Sequence, residues 1–309
     1  MAGSKIIKKR IASVKNTRKI TRTMEMVATA KSKKLIDRVN EAKPYGDKLL
    51  NIMESLATQG GNIDSPYLRI EEQPRKAALV IVSANRGLCG GYNTNLLRLA
   101  SSQVKKLKAD GKTQVDIYMV GKKGAAYFKF LQIPVHETII DIDDTFKYEQ
   151  ADELVTKLMD AFEDLKYDRV EVVSTVYYSA GSQRPEVIQL LPVGLGDGAA
   201  TPGSAQTTPD TNSPTKTPDA SGAALGPVIY EPDPATIASE MIPLAIKTTF
   251  YRVLLEAVAS EQIARRIAMK NATDAAGEMV KQLTRTYNRA RQAGITQEIL
   301  EIVGGAEAV

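Results

Sequence analysis

From Lys5 to about Ala57 the chain returns to an apolar or small residue every third, fourth or seventh position. Ile7, Ile11, Val14, Thr21, Met24, Ala28, Leu35, Val39, Ala42, Leu49, Met53 and Leu56 lie on this stripe, with polar and charged residues between them. Such a period predicts one amphipathic α-helix. Some 50 residues at about 1.5 Å each make a rod of about 75 Å, much longer than a usual globular helix. Pro44 should bend this rod rather than end it, because the period resumes beyond it. Gln59-Gly60-Gly61-Asn62 ends it.

The helical period returns from about Pro234 to Val303, with Pro243 expected to kink its start. Its stripe reads Ile246, Phe250, Val253, Ala257, Ser260, Ala264, Ile267, Asn271, Ala275, Met279, Leu283, Thr286, Ala290 and Ala293. Much of it is Ala, Ser or Thr, small enough for a partner helix to approach closely. About 70 residues make roughly 100 Å of helix. Two long helices, each with a narrow apolar seam, most simply pair with each other. They flank the rest of the chain, so they should run antiparallel.

Between them, residues 77–192 alternate between strand and helix patterns. Ala77–Val82 is a continuous apolar run, the mark of a strand buried on both faces. A Gly-rich turn, Asn85–Gly91, leads into a helix through Lys108. A strand at Val115–Val120 follows, then helices at Lys123–Leu131 and Ala151–Leu165, and strands at Arg169–Tyr178 and Val187–Leu191. This alternation predicts a small, largely parallel sheet with helical cover. The predicted fold is therefore α/β: a long antiparallel coiled coil of terminal helices (1–60 and 232–309) with a small Rossmann-like domain (76–193) inserted between them. Residues 194–227 are dominated by Gly, Pro, Ser, Thr, Ala and Asp and read as a disordered surface insertion.

Charge sharpens this picture. Residues 1–40 hold twelve Lys and Arg against Glu25 and Asp37, while the remaining chain is mildly acidic. A basic arm of this kind seeks phosphate, anionic lipid or an acidic protein surface. No aromatic residue interrupts those 40 residues to stack on bases, which favours a protein partner over nucleic acid. With 43% hydrophobic and 25% charged residues the composition is that of a soluble globular protein, and no apolar run approaches membrane-spanning length. A lone cysteine, Cys89, excludes an intrachain disulfide, and no secretory leader is expected at the basic N-terminus.

The candidate chemistry is sparse. RGLCGGYN follows a strand but lacks the Lys-Ser/Thr of a phosphate loop and the spacing of a dinucleotide fingerprint. Cys89 as a nucleophile would need a base, and His136 is the sole histidine. A buried Cys89 in a tight turn is the simpler reading. His136 has no Cys or His at ligand spacing, and Asp141, Asp143 and Asp144 lack an EF-hand pattern and read as a solvated turn.

Three segments resemble the gamma subunit of F-type ATP synthase, the central rotor shaft. They are Ile11–Ala28 (IASVKNTRKITRTMEMVA), Arg86–Asn93 (RGLCGGYN), and a C-terminal pair, Ala259–Asp274 (ASEQIARRIAMKNATD) with Tyr287–Ala306 (YNRARQAGITQEILEIVGGA). The resemblance implies a shaft inside a ring of three alpha and three beta subunits, with the α/β body at the foot against epsilon and the membrane c-ring. It implies a non-catalytic subunit without cofactor or metal, which transmits rotation and so governs ATPase activity and proton flow. It implies no membrane insertion of its own, and a peripheral place on the cytoplasmic face of a bacterial inner membrane.

By the same resemblance, Arg18, Lys19 and Arg22 would face an acidic beta-subunit loop, with Met24 as a packing contact. Arg86 would be a further basic contact, and Arg291, Gln292 and Thr296 would touch a beta subunit deeper in the ring. Asn85 stands where the family usually carries an acidic residue. The 194–227 insertion lies near the redox insert of chloroplast forms but has no cysteine, so thiol regulation should be absent. The rival readings are a coiled-coil scaffold of another complex, which would dimerise through its helices, and a basic nucleic-acid-binding protein, whose affinity would fall steeply with salt.

Overall fold

A computed structural model describes residues 2–59, 65–71, 73–109, 111–194, 231 and 233–307. The expected insertion at 194–227 lies almost wholly outside the described residues. The N-terminal period folds as one 58-residue helix, α1 (Ala2–Gln59), and the C-terminal period as a 74-residue helix, α5 (Pro234–Glu307). Pro44 and Pro243 both lie inside their helices without ending them. Asp233 starts α5 from the N-cap position: its carboxylate accepts the Thr236 N–H at 2.9 Å and the Thr236 hydroxyl at 2.6 Å. Pro234 at the first helical position gives up no hydrogen bond there.

Between the long helices the chain forms β1 (Lys76–Val82), α2 (Tyr92–Leu107), β2 (Gln114–Val120), α3 (Lys122–Phe130), β3 (Glu137–Ile139), α4 (Tyr148–Glu163), β4 (Arg169–Ser179) and β5 (Ser182–Leu191). The five-stranded sheet has the order β3-β2-β1-β4-β5, parallel except for the β4–β5 hairpin. The hairpin departs from the predicted β5, which begins at Ser182 rather than Val187. Pro185 within Gln183–Glu186 reads as a break, yet β5 is an edge strand, where a residue without an N–H costs no ladder bond.

Two compact units divide the chain, and both long helices contribute to each. The first unit holds Met1–Lys31, Leu88–Gly90 and Gln262–Val309; the second holds Ser32–Gly87 and Gly91–Glu261. In the second unit the sheet separates two cores, as the unbroken apolar run of β1 requires. Ala78, Val80 and Val82 join Leu35, Val39, Leu49, Met53 and Leu56 of α1, Leu154, Leu158 and Phe162 of α4, and Ile246, Phe250 and Val253 of α5. Leu79 and Ile81 face the opposite way, onto Leu96, Leu97, Ala100 and Val104 of α2 and Phe128 of α3. Truncating one of the fully buried aromatics, Phe250→Ala for example, removes about 3–5 kcal/mol of such packing.

Charges that enter this unit's interior are paired. The Arg252 side chain, only 3% exposed, bonds Asp47 of α1 at 3.0 Å and lies 3.8 Å from Glu256 one helical turn on. Arg38 of α1 donates to the Phe146 carbonyl and to the Tyr251 hydroxyl.

In the first unit the two helices run antiparallel. Thr21 meets Thr273, while Arg18, one turn earlier on α1, lies over Gly277, one turn later on α5. The α1 stripe holds at every described position of this unit, from half-buried Ile7 to buried Ala28. The α5 stripe is corrected. Ala264, Leu283 and Ala290 of the expected stripe are half-buried, but Ile267, Asn271, Ala275, Met279, Thr286 and Ala293 are exposed, and the seam passes instead through Met269, Thr273 and Ala276, then the half-buried Val280 and Tyr287. The phase is lost because Arg252–Ser260 is buried on every side, which leaves no polar face to fix the rotation of the helix.

Candidate functional site

The α1 segment that carries the basic cluster is held by its seam, with Thr21 and Met24 half-buried and Ala28 buried. That rotation turns Lys19 and Arg22 outward and carries Arg18 toward the opposite helix, and all three are exposed. The threonines between them fold their hydroxyls onto the helix itself. Thr17 donates to the Ser13 carbonyl, Thr21 to Arg18, Thr23 to Lys19 and Thr29 to Glu25, at 2.8–3.2 Å. With those donors spent on the backbone, the outward chemistry of this stretch is cationic and apolar. Ile20, Met26 and Val27 are 61%, 59% and 51% exposed beside the cations. The periodicity did not single these three out, because an apolar residue off the stripe leaves no repeating signal.

The arginine guanidinium of position 18 packs across the opposite helix at its smallest residue. A Cβ added to Gly277 would sit 3.6 Å from Arg18 Cζ, an ordinary contact. Arg291 follows Gly277 by fourteen positions, about 20 Å along α5. The structure thus gathers Arg18, Lys19, Arg22 and Met24 within two turns of α1 but does not bring Arg291, Gln292 and Thr296 to them. These last three are exposed, and Ile295, Ile299, Leu300 and Ile302 around them are also exposed.

The Gly-rich turn stands at the carboxyl end of β1, where the sheet order reverses between β2 and β4. Doubly wound folds bind anionic ligands at this place, through N–H groups that open the next helix. The donors that open α3, the helix after the neighbouring strand β2, are spent within the protein. At the start of α3, Lys122 N–H bonds Asn85 Oδ1, Lys123 N–H bonds the Ala84 carbonyl, and Gly124 N–H bonds Ser83 Oγ. The Ser83 hydroxyl in turn donates to the Val120 carbonyl at 2.8 Å. Gly121 (φ 95°) permits this stitch, since a Cβ there would fall 2.1 Å from the Ser83 carbonyl oxygen.

Asn85 has a role that no acidic residue could fill. Its amide N–H₂ donates to the carbonyls of Ile140 and Ile142 at 3.1 and 3.2 Å while its oxygen accepts from Lys122. Arg86 beside it is exposed. Cys89 is buried as expected, 2% exposed, and next to it Gly90 (φ 59°) lies against Ala264 and Ala268 of α5. Asn85 is thus held by hydrogen bonds within the second unit, and Gly90 by packing within the first.

The remaining candidates resolve as packing and turn chemistry. His136 donates its backbone N–H to the Ile117 carbonyl, and its ring lies 5.0 Å from that of Tyr118. Asp143 accepts the N–H and the hydroxyl of Thr145, each at 2.7 Å, closing the turn before α4. Tyr167 donates to Asp116 and pairs with Tyr118 at 3.0 Å; burial, then the Tyr118 bond, pushes its hydroxyl pKa well up. Asp116, Tyr118, His136 and Tyr167 line a groove of 980 Å³ together with side chains of both signs of charge, including Lys157 and Asp160. Among the described residues no three His, Cys, Asp or Glu side chains could hold a metal ion, and no helix is long and apolar enough to cross a membrane.

Comparison with known proteins finds relatives across the whole chain. A family model described as ATP synthase matches residues 3–309. The ATP synthase gamma chain of Leptospira biflexa is 48% identical, with both chains covered in full. That of Gemmatimonas aurantiaca is 41% identical over all of this chain and 99% of its own. Among solved structures, a chain of the Euglena gracilis mitochondrial ATP synthase (OSCP/F1/c-ring) has a similar fold, with a TM-score of 0.64 at 21% identity over 99% of this chain and 94% of that one. A chain of the Tetrahymena thermophila ATP synthase central stalk/c-ring matches with a TM-score of 0.52 at 20% identity, covering 82% of this chain and 99% of that one.

Proposed function

The chain belongs to the ATP synthase gamma-chain family, and from that premise we propose that it is the central rotor shaft of a proton-translocating F1Fo ATP synthase. One copy turns inside three alpha and three beta subunits and rests with epsilon on the membrane c-ring, at the cytoplasmic face of a bacterial inner membrane. The catalytic sites belong to the beta subunits; this chain transmits torque and sets the order in which those sites bind and release nucleotide.

The observation that carries this reading is the surface of the first unit. A shaft must offer its surroundings a face that fits without locking. Exposed Arg18, Lys19 and Arg22 supply charge for an acidic beta-subunit loop, while Met24 supports them from the seam. Ile20, Met26 and Val27, and Ile295, Ile299 and Leu300 near the end of α5, supply apolar bearing surface. Arg86 serves as a second basic contact, and Arg291, Gln292 and Thr296 meet a beta subunit at another depth. Apolar positions that sit outside the seam speak for a sleeve around the helices, since a free-standing coiled coil leaves such residues in water.

Co-expression with the alpha and beta subunits of the same source, followed by native mass spectrometry, tests the assembly. One copy of this chain per three alpha–beta pairs is expected. A homodimer through the long helices would favour a scaffold instead, and binding to DNA or RNA that falls with salt would favour the nucleic-acid reading.

A further inference from the structure

The two helical layers on the sheet of the second unit carry opposite charge. On one face α4 presents five carboxylates and a single lysine, Lys157. On the other, α2 and α3 together hold six basic residues and no acidic one. Arg98, Lys105, Lys106, Lys122, Lys123 and Lys129 are all exposed, and none makes an ion pair among the described residues. The helix dipoles explain part of this. Lys105, Lys106 and Lys129 occupy last turns, where a cation is favoured. Lys122 and Lys123 open α3, where the dipole opposes them and no carboxylate lies in the first turn to relieve them.

The same helix turns an apolar stripe outward. Ala126, Tyr127 and Phe130, continued by Leu131 just past its end, follow the helical repeat on the outer side, and all four are exposed. Phe128, on the inner side, anchors α3 to the sheet, so the fold does not use the outer stripe. Its members differ in depth. Phe130 projects at 83% exposure, whereas Tyr127 at 37% and Leu131 at 40% are more than half sunk among their neighbours.

We propose that the α2–α3 layer docks an acidic amphipathic helix of a protein partner. The partner's apolar stripe would lie on Tyr127, Phe130 and Leu131, with its flanking carboxylates on the lysines of both helices. Charge complementarity selects the sign of the partner, because an anionic surface gains from every cation of these two helices and meets no carboxylate on them. Depth selects its form. A planar headgroup layer reaches projecting Phe130 but not the side chains sunk beside it, whereas the side-chain ridge of a helix enters such a stripe. Single-stranded nucleic acid needs successive ring faces to stack on, and Tyr127 is already engaged in an edge contact with Phe128 at 5.9 Å. This layer belongs wholly to the second unit, so its docking holds or fails apart from the shaft reading.

The test is a fluorescence anisotropy titration of the full chain against a labelled helical peptide about five turns long. The peptide carries leucine on one face and glutamate on the other, and its counterpart has lysine in place of glutamate. The natural chain should bind the glutamate peptide and not the lysine one. Tyr127→Ser/Phe130→Ser and Lys105→Gln/Lys106→Gln/Lys122→Gln/Lys129→Gln should each weaken that binding at least about tenfold, the scale of removing an interface anchor. An unchanged unfolding temperature verifies that the variants fold, and Phe130→Ser alone repeats the test at the most exposed position. Equal binding by the natural chain and the variants would assign the attraction to the basic face of α1 and overturn the proposal. Failure of the glutamate peptide to bind would overturn it too. Phosphatidylglycerol vesicles or a single-stranded oligonucleotide that displace the peptide, and that the same variants no longer bind, would give this face to lipid or nucleic acid instead.

Discussion

Thr273 of α5 shares its one hydroxyl proton between Thr21 of α1 and the Met269 carbonyl of its own helix, each at 2.8 Å, and Thr21 donates to the Arg18 carbonyl at 3.1 Å. This pair fixes the rotation of both helices at the level of the basic cluster. Thr273→Val keeps the shape and removes the donor, so it should lower stability by about 1 kcal/mol. Thr284→Val is the control, because that hydroxyl only folds back on the Val280 carbonyl at an exposed position. A thermal unfolding series that moves for both variants equally would deny the pair its role.

Gly121 is the tightest point of the stitch at the end of β1. Gly121→Ala combines a left-handed backbone angle with a Cβ placed 2.1 Å from the Ser83 carbonyl oxygen. The expected loss is at least about 3 kcal/mol, by the scale for strained backbone and overpacking. Gly111→Ala shares the positive φ but meets nothing within 4 Å, so it isolates the cost of φ from the clash. Comparable unfolding midpoints for the two variants would show that the stitch between β1 and α3 gives way easily.

Glu256 gives the second unit a pH dependence of definite sign. Burial holds its carboxyl above the usual carboxylate range, and nearby Arg252, the Tyr177 N–H bond and Lys43 offset this in part; Glu186 adds to the rise. An acid whose folded pKa is raised contributes stability below its unfolded pKa and loses it as pH rises through the folded value. Glu256→Gln is neutral throughout, so its unfolding temperature should gain on the natural chain as pH rises from below to above the usual carboxylate range. A difference that stays flat over that window would contradict the assignment.

Met24 lies among the three cations and is half-buried against the seam. Met24→Lys places a fourth cation within two turns, which should strengthen adhesion to an acidic beta-subunit loop and waste torque. Assembly and ATP hydrolysis are expected to persist, while ATP-driven proton pumping falls several-fold relative to hydrolysis. Met24→Leu should pump normally. Undiminished pumping by the lysine variant would count against this contact.

How far these features could be read from the chain depended on where polar residues alternate with apolar ones. The α1 seam was legible throughout, because charged residues recur between its positions over most of the stretch from Ile7 to Leu56 and fix the inward face. The α5 seam was legible only as a period. Its phase slipped after Ser260, where burial on all sides removes the contrast, and where polar Thr273 and small Ala276 fill the seam in place of Ile267 and Met279. Asn85 looked like a weakened acidic contact, whereas its value lies in donating to two carbonyls more than fifty residues away. The basic cluster was visible as charge; its apolar companions Ile20, Met26 and Val27 became visible only once the seam was fixed in space.

The most direct test of the shaft account is to watch the chain turn. An exposed position of the second unit, Lys122→Cys for example, can carry a thiol-linked probe, since the natural Cys89 is buried. With the alpha–beta ring immobilised and ATP supplied, the account predicts steady rotation of the probe in one direction, stopping when ATP is exhausted. A ring that hydrolyses ATP at full rate with this chain bound and the probe stationary would contradict it.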